Sequence, residues 1–438
     1  MAPGNNFKSR LSSALFWSVV SAAFIGPGTV TTASNAGANY GYSLLWALIF
    51  STIACIILQE AAARITLISG LSLGEAIAKR YKNSKGLFFK YFIFLSILIG
   101  GIAYQAGNIL GAIAGLQLLF GFDTKIVTGI ISLLCAFLLW FGNYKIISNL
   151  LGMVVAFMGF VFVFIAFNID LDWYALLKGA FIPVIPDGAA WVVIGLIGTT
   201  IVPYNLFLAS GISAGQEMNT MRFGIVSAIL LGGLVSAAIL LAGTTVAGDF
   251  SFESLKTAME SKSGSWSGYL LGVGLFSAGF TSAVTAPLAA AITAKSLFHK
   301  DDDRWQENKK FYNGIWLLVI VAGFLFGVAG VKPIPAIILA QVINGLLLPV
   351  ACIFLVIIVN DSTIIPGQYL NSGLSNYLLL AVVLITTFLG LNNIFKATLA
   401  LFNLPNHHFS VIVILCISVA ITIAIAYYVR KIRIGVKT

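Results

Sequence analysis

Charge is what this chain lacks most. Asp, Glu, Lys and Arg make up only 9% of its 438 residues, against about a quarter in a soluble domain, and 59% of the residues are hydrophobic. That balance excludes a water-soluble globular protein. From Leu11 to Gln59 none of the four charged residue types occurs, and similar charge-free windows recur as far as residue 429. Cysteine is almost as scarce. Cys55, Cys135, Cys352 and Cys416 each stand alone in a different apolar stretch, which excludes a disulfide framework and a cysteine-type metal cluster, so they read as small packing residues. The three histidines are His299, in the charged loop HKDDDR, and His407 and His408, in a second loop; they read as solvated. The longest hydrophilic segments, residues 69–89, 249–266 and 295–310, are too short to bury a core of their own. Without a nucleophile–base pair or a ligand cluster in the apolar stretches, neither an enzyme nor a resident cofactor is expected.

What is present is a series of membrane spans. At about 20 apolar residues per helix the windows predict an all-α membrane protein of about twelve spans, starting near residues 13, 44, 90, 126, 148, 189, 223, 267, 311, 334, 374 and 409. The first apolar run is too long for a cleavable leader and is expected to stay as a helix. If both termini are cytoplasmic, the loops on that side hold most of the 25 Lys and Arg, as the positive-inside rule requires. The net charge of +10 then belongs to loops facing anionic lipid headgroups, and no nucleic-acid partner is implied. Small-residue clusters such as GAIAGL (111–116) and LLGGLV (230–235) fit close helix packing.

Two of the spans are broken. The first carries FIGPGTVTTASN (24–35) and the sixth GTTIVPYNLFLASG (198–211), each a proline beside hydroxyl or amide residues. Five spans separate their starts, an odd number, so one break is approached from each side of the membrane. That is the trace of an inverted repeat, whose broken helices meet near the midplane and offer freed amides, carbonyls and half-helix dipoles to a substrate. The organisation expected is a cytoplasmic segment 1–12, a five-helix repeat 13–168, its inverted copy 189–359, two further spans within 374–429 and a basic cytoplasmic tail 430–438.

These residues resemble the NRAMP divalent-metal transporters, a branch of the LeuT-like superfamily. Gly26-Pro27-Gly28-Thr29 stands where that family has Asp-Pro-Gly-Asn, and Val202-Pro203-Tyr204-Asn205 where it has a Met-Pro-His frame. The segments Leu44-Leu45-Trp46, LQEAAARITLISG (58–70), GFTSAVTAP (279–287) and ILAQVINGLLLPV (338–350) are similar as well, Gln341 matching a polar residue of the tenth helix. The resemblance implies a LeuT-type 5+5 inverted-repeat bundle and a secondary transporter working by alternating access in the plasma membrane. The departures fall on the chemistry. Gly26 replaces the Asp, Thr29 the Asn, Val202 the Met thioether and Tyr204 the His, while Gln105 and Asn108 stand where the resemblance places the carboxylates of the third helix. A transition metal wants a carboxylate and a soft or imidazole donor, and a proton relay wants titratable groups.

Three functions therefore stay open. The first is a metal-cation transporter, with Mg²⁺ or Mn²⁺ held by Thr29, Thr199 and Gln341 together with Asn205, backbone carbonyls and retained water, without proton coupling. All-oxygen ligation suits Mg²⁺ best, and the absence of an anionic ligand makes binding weak. The second is a transporter of a small organic anion or zwitterion, its carboxylate on the amides of Gly26 and Gly28, its polar groups read by Tyr204, Gln105 and Asn108, and Na⁺ held at Thr281 and Ser282. The third is a non-transporting sensor or scaffold. Glu60 and Arg64, spaced i and i+4, read as a structural ion pair.

Overall fold

The computed structural model describes residues 25–82, 84–141, 145–298, 309–402 and 408–433; the N-terminal half of the first span, Lys8, Arg10, His299 and His407 lie outside them. Among the described residues every regular element is helical. In chain order the α-helices are α1 (Pro27–Tyr40), α2 (Leu45–Ser69), α3 (Leu73–Arg80), α4 (Ser84–Phe120), α5 (Thr124–Phe141), α6 (Lys145–Phe167), α7 (Trp173–Phe181) and α8 (Ala190–Thr200). They continue with α9 (Pro203–Ile212), α10 (Met218–Gly243), α11 (Phe252–Ser263), α12 (Ser265–Phe298), α13 (Lys309–Val328), α14 (Pro333–Ile358), α15 (Gly373–Leu401) and α16 (His408–Arg433).

Ten described helices are long and apolar enough to cross a bilayer, with α8 and α9 counted as the two halves of one. With α6, apolar over Gly152–Phe167, and with the first span, of which α1 is the described half, this agrees with the expectation of about twelve. The expected break in the sixth span is found between α8 and α9, and α1 begins at Pro27, where the first break is expected. Helices α1 and α9 each begin with a proline at the first turn, where the missing N–H costs nothing and φ is already helical. Preceding them, Gly26 and Val202 are extended.

The broken sixth span is central. Every residue of its apolar window is buried, against 11% for the window of α16, which lies at the periphery. Broken backbone is tolerable at membrane depth only inside protein, and the chain meets that condition by wrapping α8 and α9 in α2, α14 and α1. Glycines make the approach close. A Cβ on Gly198 would overlap the Gln341 carbonyl, one on Gly345 would lie 2.5 Å from the Ile194 carbonyl, and one on Gly37 would overlap the Leu240 carbonyl, so α8 meets α14 and α1 meets α10 backbone to backbone.

A network of ion pairs ties several elements together at one end of the bundle. Glu60 on α2 accepts from Arg64 at 3.1 Å and from Arg222 of α10 at 2.9 Å. Arg64 also donates to the Tyr369 carbonyl and to Asn371 Oδ1, in the segment after α14. Arg433 of α16 donates to Asn360 Oδ1 and the Asn371 carbonyl. The expected Glu60–Arg64 pair is thus one corner of a network joining four elements. At its side Arg80 holds the buried Asp361 at 2.5 Å and donates to Tyr428 at 2.9 Å. Burial works against the Arg80 charge, but the Tyr428 hydrogen bond and the Asp361 charge outweigh it and hold the guanidinium above its ordinary value.

The Asp361 side chain is fully buried, so removing its cation leaves an uncompensated charge. Arg80→Met is expected to destabilise the protein by about 3–5 kcal/mol, and adding Asp361→Asn to recover most of it. Denaturant unfolding in detergent micelles checks both; an Arg80→Met protein as stable as its parent would contradict this account.

Candidate functional site

The two breaks face each other, and their geometry follows from what proline takes away. Pro203 has no N–H, so the Thr199 carbonyl, four residues back, loses its helical donor. The Asn205 amide turns instead to the Val202 carbonyl at 3.0 Å, closing a tight first turn on α9. On the other side Val30 N–H bonds to Gly26 O, closing the first turn of α1 with the Gly28 amide at its N-terminus. Across the gap Thr29 Oγ1 lies 2.9 Å from Thr199 Oγ1, a buried hydroxyl pair linking the two broken helices.

Three unbroken helices close the site. From α14, Gln341 presses its amide on the bare backbone of Gly28, where a Cβ would overlap it, and its Oε1 is buried without a partner among the described residues. Gly111 of α4 abuts Pro27. Tyr104 and Asn108 lie on the same face of α4 as Gly111, at i, i+4 and i+7. The Tyr104 hydroxyl lies beside Thr199, and its ring meets that of Tyr204 edge-on at 5.6 Å. From α12, Ser282 Oγ faces Gly26, lying 3.3 Å from where a Cβ would be.

The polar atoms left over define what the site can bind. Asn205 Oδ1 and Nδ2, Tyr204 Oη, Asn108 Nδ2, Gln341 Oε1 and Ser282 Oγ are buried and lack partners among the described residues. Buried polar groups normally have partners, since an unmade bond costs about 1–3 kcal/mol, so such a concentration marks a place where something else supplies them. No cluster of three or more His, Cys, Asp or Glu occurs among the described residues, and the donors here are uncharged oxygens and amides.

The expected site residues separate into two groups. Gly26, Gly28, Thr29, Thr199, Val202, Tyr204, Asn205 and Gln341 gather at the paired breaks, and Asn108 lies on the α4 face toward them. Gln105 does not share that face. Its Nε2 donates to the Ala283 carbonyl of α12 at 3.1 Å, the acceptor that Pro287 leaves without a helical donor. It therefore braces α12, and Tyr104, one residue earlier, reaches the site in its place; the i, i+4, i+7 spacing to Asn108 and Gly111 was the signal for it. The Thr281–Ser282 pair also divides, because Ser282 turns to the break while the Thr281 hydroxyl bonds back to Ser277 and Ala278 of its own helix. Cys55, read from sequence as packing, lies with Sγ 3.6 Å from the Thr200 carbonyl at the end of α8, and Gln59 Nε2 donates to that sulfur at 3.5 Å.

The brace is testable. Gln105→Leu strands the Ala283 carbonyl and is expected to cost about 1–3 kcal/mol. In a Pro287→Ala background, where residue 287 regains its N–H, the same change is expected to cost far less. Unfolding of the four proteins of this cycle measures the coupling, and equal costs in both backgrounds would refute it.

Comparison with known proteins agrees with this geometry. The chain is 25% identical over 397 residues to the divalent metal cation transporter MntH of Yersinia pestis (strain Pestoides F), covering 85% of this chain and 92% of that protein. It is 23% identical over 363 residues to MntH of Caldanaerobacter subterraneus, covering 78% and 83%. Its fold matches a crystal structure of the Eremococcus coleocola manganese transporter with a TM-score of 0.72 at 20% identity, over 100% of this chain and 97% of that one. It also matches Mhp1, a nucleobase-cation-symport-1 family transporter, at a TM-score of 0.54 and 15% identity over 96% and 92%, which places it among LeuT-type bundles. The model of the family described as natural resistance-associated macrophage protein-like matches residues 18–396, and the chain belongs to that family, Nramp.

Proposed function

We propose that this protein is a secondary transporter carrying a divalent metal cation across the membrane by alternating access, through a site of neutral oxygens. The observation that carries the reading is the set of buried, unpaired groups at the paired breaks, Asn205 Oδ1, Gln341 Oε1 and Ser282 Oγ, beside the Thr29–Thr199 hydroxyl pair, in a member of a family whose named relatives move divalent metals. Thr29, Thr199 and Gln341 are the principal ligands. Asn205, the freed Thr199 carbonyl and retained water complete the shell.

The donor set favours a hard ion. Mg²⁺ accepts oxygen ligands and keeps several of its waters, whereas Mn²⁺ gains more from the softer donors that Val202 and Tyr204 do not supply. Stripping part of a dication's shell without an anionic ligand is costly, so affinity falls to about the millimolar range. Dipoles decide where the ion rests. The N-termini of α1 and α9 repel a cation and the carbonyl end of α8 attracts it, so it sits toward Thr199 and Thr200. Uniport or sodium coupling suits a site with no titratable carboxylate or imidazole better than proton coupling. Both termini are placed on the cytoplasmic side of the plasma membrane.

Uptake of Mg²⁺ and Mn²⁺ into proteoliposomes, with and without imposed pH and Na⁺ gradients, tests this. Saturable flux, indifferent to the pH gradient, is expected. Gln341→Ala and Thr29→Ala are each expected to raise the half-saturating concentration about tenfold, equal to about 1.4 kcal/mol. Unchanged concentration dependence in both would remove these ligands from the proposal, and no flux above empty liposomes would turn attention to a small carboxylate-bearing solute at the α1 N-terminus.

A further inference from the structure

The soft donor that Val202 does not supply is present one helix away. Cys55 is fully buried, and its thiol touches the Thr200 carbonyl, one of the groups turned into the break by the end of α8. The Gln59 amide that holds the sulfur carries an independent mark of a ligand: its Oε1 is buried and has no partner among the described residues. A thiol is a weak donor, so the S–H···O contact shields the Thr200 carbonyl from being an orphan yet releases it at little cost. Sulfur and backbone carbonyl thus meet at the negative end of the α8 dipole, next to the Gln59 amide, whose nitrogen faces the sulfur and whose oxygen is unpaired among the described residues. That trio is softer than the all-oxygen set around Gln341, and sulfur ligands select thiophilic ions.

We infer that Cys55 is a specificity-determining residue, giving thiophilic divalent cations such as Cd²⁺ a sulfur donor at the Thr200 end of the break, with Gln59 Oε1 beside it, which a hard ion such as Mg²⁺ does not use. As the sulfur–metal bond forms, the thiol proton leaves to water. The inference rests on the cation-transport reading above and specifies its selectivity.

The test uses the full chain with Cys135, Cys352 and Cys416 replaced by Ala, so that Cys55 is the single thiol. Calorimetric titration with Cd²⁺ and with Mg²⁺ is compared for this parent, Cys55→Ala and Cys55→Ser. Both variants are expected to weaken Cd²⁺ binding by about tenfold or more while moving Mg²⁺ by less than about twofold. Serine separates the roles, because it restores a donor to the Thr200 carbonyl but not the sulfur. A Cys55→Ser protein that binds Cd²⁺ like its parent would overturn the inference and leave Cys55 a brace. In the unaltered parent Cd²⁺ is expected to give an ultraviolet thiolate-to-metal charge-transfer band, a readout that needs no Cys55 variant to fold; Cd²⁺ binding without that band would overturn the inference as well. Divalent binding with an unchanged Cd²⁺-to-Mg²⁺ ratio in the variants sinks this inference alone, whereas no divalent binding to the parent sinks the transport reading with it.

Discussion

Inside lipid a backbone carbonyl that loses its helical donor has no water to turn to, and this chain places prolines where they remove such donors. An unsatisfied group at that depth costs several kcal/mol, so each freed carbonyl must be met by protein, by a ligand or by trapped solvent. The chain answers differently at each place. Pro287 frees Ala283 O, and Gln105 meets it with a full amide donor. At the sixth-helix break Thr200 O receives a thiol, a weak donor, and Pro203 deprives Thr199 O of its helical partner. The first arrangement is permanent. The second leaves groups that an arriving ion can claim, and the difference between a structural proline and a functional one lies in the strength of the donor set opposite it.

Charge is distributed by the same rule. Glu60, Arg64, Arg222, Arg80, Asp361 and Arg433 form networks at one end of the bundle, where each charge meets an opposite charge or a hydrogen-bonding partner. At the breaks the described residues supply dipoles: hydroxyls, amides, carbonyls and helix ends. A carboxylate there would bind a dication tightly but would itself be expensive to bury whenever the ion left. Neutral donors avoid that cost and give up affinity. Close packing makes the arrangement work. Gln341 reaches the α1 backbone because Gly28 has no side chain, and α8 meets α14 because Gly198 and Gly345 lack theirs, so polar groups from separate helices converge within hydrogen-bonding range.

Much of this was legible in the sequence, because composition and proline are strong signals in a membrane. Charge-free windows gave the spans, and Gly26-Pro27-Gly28 and Val202-Pro203 gave the two breaks, since little besides a break explains such residues at that depth. What stayed hidden depended on helix rotation and on contacts distant in sequence. Gln105 and Tyr104 differ by one position, about 100° around α4, and only packing shows that the amide goes to Ala283 while the ring goes to Tyr204. Cys55 looked like filler because, although Gln59 lies one turn on, its backbone partner, Thr200, is 145 positions away. The capture of Asn371 by Arg64 spans 307 positions and carries no local pattern at all.

The Thr29–Thr199 contact shows why weak bonds belong at the centre of such a site. Each hydroxyl offers one donor and two lone pairs. The two hydroxyls satisfy one another at 2.9 Å, so neither is left as a buried orphan. On the proposed reading an entering cation lets both swing their protons away and present lone pairs, exchanging one hydrogen bond for two ion–dipole contacts. The Cys55 thiol stands in the same relation to the Thr200 carbonyl. Placeholders of this kind keep the empty site stable and the loaded site only moderately more so, and a carrier needs both, since an ion held too firmly is never released on the far side.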